Sequence, residues 1–167
     1  MNVAEIVVAQ YDAALDMLRQ TIAKCPDSVW FAAPDKNPYW RVAYHALFYA
    51  HLYAQPTVQD FTPWAKHRAE YANLKLATRP SHNPPTVDEP YTQTDMLEYL
   101  DLCRQEVRRC MIGSDWEGAS GFDWLPFSKL ELQFYSIRHI QQHVGELSGA
   151  LMAATGIEVN WVGTMRA

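Results

Sequence analysis

Residues 128–155 read SKLELQFYSIRHIQQHVGELSGALMAAT, a pattern that leaves one long helix as the conformation to expect. Ile137, Ile140, Val144, Leu147 and Leu151 recur at alternating steps of three and four, the spacing of a helix buried along one side. Ser128 can cap the start, with Glu131 three residues on completing a capping box. Gly156 follows the last periodic residue and suits the stop. His139 and His143 sit beside the apolar stripe. Positions i and i+4 lie roughly 40° apart and about 6 Å along the axis, so both imidazoles lean to one side. Two imidazoles so placed can grip one divalent ion; they can equally be two packed core residues.

The rest of the chain supplies partners for this helix. Residues 2–24 carry Ile6, Val7, Ala13, Leu15, Leu18 and Ile22 among polar residues, an amphipathic helix that Cys25-Pro26-Asp27 ends. SVWFAAPDKNP reads as a Pro-bounded loop whose aromatics pack back on the body. Asn37 is placed to cap a second long helix, with Pro38 at its first position. That helix, YWRVAYHALFYAHLYA, is apolar almost all round and reads as buried. Between 55 and 90 the chain turns irregular, with prolines at 56, 63, 80, 84, 85 and 90 and a short helix expected around 64–76. A connection this long in a small domain is commonly functional or a lid. A further helix is expected over 92–112, with Thr92 and Asp95 as a capping pair, Leu97, Leu100, Val107 and Met111 inward, and Gly113 as its stop. An aromatic loop, SDWEGASGFDWLPF, then leads to the histidine-bearing helix, and GIEVNWVG trails off irregularly.

Four long helical segments without strand periodicity predict an all-α fold: a four-helix bundle with a long Pro-rich connection between its second and third helices. At 167 residues a single domain over 1–167 is expected, long enough to bury a core. Net charge is −5 and no basic run occurs, which argues against nucleic acid as a partner. No stretch approaches the roughly 20 apolar residues of a membrane span, so no membrane role is expected. MNVAEIVVAQYD has neither a positive leader nor a long apolar core, so a secretory signal is not expected. Three cysteines, Cys25, Cys103 and Cys110, are an odd number without a CxxC. They read as reduced, buried thiols of a cytoplasmic protein.

A metal held by two histidines needs a third protein ligand, and catalysis needs a further open position. His45, His51, His67, His82 or a carboxylate could supply it. His45 and His51 are six apart and point roughly 120° away from each other, so they cannot both face one interior site. His45 shares its helix with Trp40, where an aromatic wall would shape a pocket. His51 lies toward the Pro-rich exit, as a surface or packing residue. His67 and His82 read as solvated side chains. A di-iron bundle would carry Glu-x-x-His on two helices, and only the reversed His143-x-x-Glu146 occurs. The zinc-protease signature H-E-x-x-H is absent, so no general base comes with the pair. Activation would fall to the ion, as a Lewis acid or by lowering the pKa of a bound water or thiol.

The WRVAYHALFYAHLY helix and, more specifically, IRHIQQHVGEL resemble the DinB/YfiT-like metal-binding helical bundles, and the order of elements is similar over most of the chain. The resemblance implies a three-histidine site of His45, His139 and His143 holding zinc or nickel, with water or substrate completing the shell. It also implies a homodimer, and thiol-dependent transferase or isomerase chemistry, or hydrolysis, on a small molecule, with a low-molecular-weight thiol as partner. Val144-Gly145-Glu146 stands where that family commonly has Arg-Gly-Gln, and His51 remains the rival to His45. Trp40, Trp64, Trp116, Trp124 and Trp161 read as core and loop packing. Arg138 could meet an anionic substrate or a surface acid. Glu146, one turn after His143, could orient an imidazole or stand free in solvent. Two classes of function therefore stand open: a metal-dependent enzyme, or a helical module that its metal merely stabilises.

Overall fold

Asn2 opens the first helix. Its side chain accepts from the Glu5 backbone N–H at 3.4 Å, and α1 runs over Val3–Lys24. The computed structural model describes residues 2–32, 37–74 and 89–165. Two short turns of helix and two long helices follow α1 before the last: α2 (Asp27–Trp30), α3 (Tyr39–Ala54), α4 (Ala69–Ala72) and α5 (Gln93–Met111). The last, α6, spans Lys129–Thr155. The fold is all-α: among the described residues β pairing is limited to one antiparallel bridge, Ala119 to Ser128.

The caps explain most boundaries. Thr92 and Asp95 form a complete capping box at the start of α5, as their spacing predicts. At α6 the expected box is half made. Ser128 Oγ accepts from the Glu131 N–H at 3.2 Å, without the return bond. Gly156 ends α6 at φ 75°, a left-handed position that glycine takes without strain. The start of α3 corrects the sequence reading by one residue. Pro38, at φ −65° and ψ 155°, is itself the capping residue, and its carbonyl accepts from the Arg41 N–H at 3.0 Å. Asn37 makes no cap, because an N-capping side chain must sit immediately before the first helical residue.

The long helices pack in a ring: α1 and α3 each lie chiefly against α5 and α6 and barely meet one another. Leu15, Leu18 and Ile22 of α1, Leu47 of α3, Leu100 and Val107 of α5, and Ile140, Val144, Leu147 and Leu151 of α6 share one buried core. Each buried leucine or isoleucine contributes about 1.5–3 kcal/mol relative to exposure. A smaller cluster of Leu52, Tyr53, Phe122 and Leu132 joins the end of α3 to the start of α6. There the buried Lys129 ammonium donates to the carbonyls of Pro56 (2.7 Å), Gln55 (3.3 Å) and Ser120, tying α6 to the exit of α3.

Several expectations need correction. The segment after Cys25 is not all loop, since Asp27–Trp30 makes a turn of helix that buries Trp30. Among the described residues of the helix expected around 64–76, α-helix is confined to Ala69–Ala72, with a 3₁₀ turn at Val58–Asp60 ahead of it. Residues 75 and 76, His82 and the prolines at 80, 84 and 85 lie outside the described residues. Ile6 is exposed at the edge of the α1 stripe, and Trp124 and Trp161 are exposed where packing was expected. Trp40 and Trp64 are buried, and Trp116 packs against the core from outside. All three cysteines are free and buried, as read. No described helix is long and apolar enough to cross a membrane.

Candidate metal centre

Three imidazoles meet between α3 and α6. His45 projects from α3, and His139 and His143 from successive turns of α6, so the two facing helices supply the whole set. His45 Nε2 lies 3.1 Å from His139 Nε2, which lies 3.2 Å from His143 Nε2. One ring nitrogen from each falls within 4.8 Å of the others, a grouping that could hold a metal ion. Two nitrogens bound to one tetrahedral zinc at about 2.0–2.1 Å stand roughly 3.3 Å apart, close to these separations.

The outer ring nitrogens settle the direction of the lone pairs. His45 Nδ1 is 2.6 Å from the Ala72 carbonyl oxygen, which can only accept, so Nδ1 carries the proton. His143 Nδ1 is 2.9 Å from the Glu146 carboxylate and donates to it in the same way. In their neutral forms, both residues therefore present an unprotonated Nε2 toward His139. One proton on His139 Nε2 could satisfy only one of these neighbours. His139 Nδ1 is buried without a partner among the described residues. A cation at the meeting point would resolve the frustrated contact, and the site fits one on that ground. Burial pushes the His45 imidazole down to about 3, despite the Ala72 bond that favours its charged form. Burial, helped by His143, pushes His139 down to about 4. Both rings are thus neutral near pH 7, the state in which imidazole ligates.

Ala72 reaches His45 because the Pro-rich connection folds back over α3. Arg41, one turn before His45 and fully buried, donates to the Asn73 carbonyl at 3.0 Å and the Glu70 carbonyl at 3.3 Å. The guanidinium and the imidazole so grip three carbonyls at the end of α4. Over the imidazoles lies a pocket of about 450 Å³, walled by Tyr49, Tyr53, Tyr135, Leu74, Asn73 and Gln142. The aromatic wall is not the one expected at Trp40, which is buried against Tyr71 and Tyr91. Tyr49 and Tyr53 stand one and two turns after His45, and Tyr135 one turn before His139. That four-residue register was the available sequence signal for the three tyrosines. Nothing in the sequence marks the Ala72 carbonyl.

The rival histidines go elsewhere. His51 is buried, packs edge-on to Phe61 and Tyr99, and has Nδ1 3.3 Å from the Tyr99 hydroxyl. Burial pushes it down to about 4. His67 is not a solvated side chain. It lies parallel to Phe48 at 5.1 Å with Nδ1 2.5 Å from the Tyr44 hydroxyl, and burial lowers its pKa. Neither joins the three-histidine group. Arg138 is exposed and does not line the pocket. Comparison with protein-family models, with curated proteins and with solved structures gives no match.

Proposed function

We propose that this protein is a divalent-metal-dependent enzyme, a four-helix bundle of the DinB/YfiT-like kind. It holds one zinc or nickel ion through Nε2 of His45, His139 and His143 and acts on a small molecule in the pocket above them. The observation that carries this reading is the convergence of the three Nε2 atoms, two of them aimed inward by bonds at the opposite ring nitrogen. The ring of four long helices and the His-x-x-x-His pair on α6 support the family reading. When bound, such an ion supplies Lewis acidity and lowers the pKa of a water or thiol that reaches it. Thiol-dependent transfer or isomerisation, or hydrolysis, are the reactions proposed, with a low-molecular-weight thiol as partner.

The chain's own residues divide the remaining work. Ala72 and Glu146 hold the tautomers of His45 and His143, and the tyrosines restrict water on the pocket side. A metal that only tied helices together would favour a closed shell of four protein ligands. Here three histidines form the group, and the pocket opens directly onto them, which favours catalysis over a purely structural ion. Elemental analysis of protein incubated with zinc or nickel should find about one equivalent per chain. His143→Ala should lose it and His51→Ala retain it. No metal in the unaltered protein, or loss on His51→Ala alone, would overturn the site.

A further inference from the structure

Two hydroxyls beside the three imidazoles make no hydrogen bond to the described residues. Tyr49 and Tyr135 both line the pocket, and neither phenol is hydrogen-bonded to a described residue. This differs from the other tyrosines near the core of the fold. Tyr11, Tyr39 and Tyr91 each spend their hydroxyl on a protein acceptor, namely Gln133, Thr21 and Lys66. A tyrosine with an apolar flank and a free phenol in a concave site is suited to a ligand that needs both.

The rings form one angled aromatic wall leading away from the histidines. Tyr49 stands edge-on to His45 at 4.8 Å between centroids and to His139 at 5.5 Å, touching two of the three candidate ligands. From there the aromatic surface continues outward. Tyr49 lies 5.5 Å from Tyr53, and Tyr53 lies 5.8 Å from Tyr135. Leu74 adds an aliphatic surface to the same pocket, and Asn73 and Gln142 add amides. Its volume of about 450 Å³ falls in the range that encloses a small organic ligand. Apart from the histidines, no titratable side chain but these phenols lines it among the described residues.

We propose that the pocket binds a small molecule with an apolar body and an oxygen- or sulfur-containing head, the body lying along Tyr49, Tyr53 and Tyr135 and the head at the histidine centre. Tyr49 donates a hydrogen bond to that head, and Tyr135 bonds a polar group further out. This inference rests on the metal-site reading and adds to it the shape and chemistry of the ligand.

Hydroxamates test it, because their head ligates zinc while the body can be varied. Zinc content is measured first, and benzohydroxamate and acetohydroxamate are then titrated calorimetrically into the zinc-loaded full chain. Benzohydroxamate should bind at least about tenfold tighter, from the added apolar surface. Tyr49→Phe, which removes one oxygen and keeps the ring, should weaken benzohydroxamate about three- to tenfold, the worth of one neutral hydrogen bond, with zinc content unchanged. Tyr135→Phe, equally conservative, should leave this probe's affinity within about twofold, because its hydroxyl is assigned to a group that benzohydroxamate lacks. A chain that takes up no zinc would overturn both the metal site and this inference. Zinc-loaded protein that binds the two hydroxamates equally, or a Tyr49→Phe variant of unchanged affinity, would overturn this inference alone.

Discussion

Glu146 shows how much depends on one side chain outside the ligand set. Its carboxylate accepts from His143 Nδ1 at 2.9 Å while remaining largely exposed. The bond keeps the proton on the outer nitrogen, leaves Nε2 free to ligate, and raises the basicity of the ring. Glu146→Leu should therefore weaken zinc binding about 10- to 100-fold, measured by competition with a chromophoric chelator, with little change in helix content. Unchanged affinity would reduce Glu146 to a surface acid. The i, i+3 spacing of His143 and Glu146 was legible in the chain, since it follows from helical geometry. The partner of His45 was not: Ala72 is a backbone carbonyl on another element, and a carbonyl has no sequence signature. His67 was misread for a related reason. A histidine in an irregular segment looks solvated until the fold lays Phe48 and Tyr44 against it.

Among the described glycines, Gly121 leaves the least room for a side chain. Gly121 has φ 88°, and a Cβ there would stand 2.1 Å from the Pro56 carbonyl oxygen. That oxygen also accepts from Lys129 Nζ, and the Gly121 carbonyl accepts from the Val58 N–H at 3.2 Å. The exit of α3, the aromatic loop and the first turn of α6 are thus clamped at one point. Gly121→Ala must move backbone and adopt a left-handed conformation. It should cost about 2–4 kcal/mol in denaturant unfolding, whereas Gly145→Ala, whose added methyl meets open space on the exposed side of α6, should stabilise by about 0.5–1 kcal/mol. The four long helices were readable to within a residue or two, because periodicity and caps are local, whereas the short turns α2 and α4 were not. Pro38 shifted one boundary: its fixed φ suits both the capping position and the first helical turn.

For the molecule as a whole, a metal ion held by His45, His139 and His143 would cross-link α3 and α6, two helices far apart in sequence. An ion bound by the native state alone stabilises it by mass action. At free zinc about 100 times the dissociation constant the gain is about 2.7 kcal/mol, or roughly 5–10 °C in Tm for a chain of this size. Scanning calorimetry with and without zinc should show that rise, and His45→Ala should abolish it. A rise that survives His45→Ala would place the stabilising ion elsewhere.

The all-helical character, the long elements and the His139/His143 pair were written in the chain as hydrophobic period, caps and a four-residue repeat, all local properties of the backbone helix. The choice of His45 over His51 as their companion required packing. The two point roughly 120° apart on one helix that is apolar almost all round, so composition gave neither side preference, and only the seating of α3 against α6 turned His45 inward to the pair. The aromatic wall, the Ala72 carbonyl and the clamp at Gly121 likewise arise between elements, from distances that no single stretch of residues encodes.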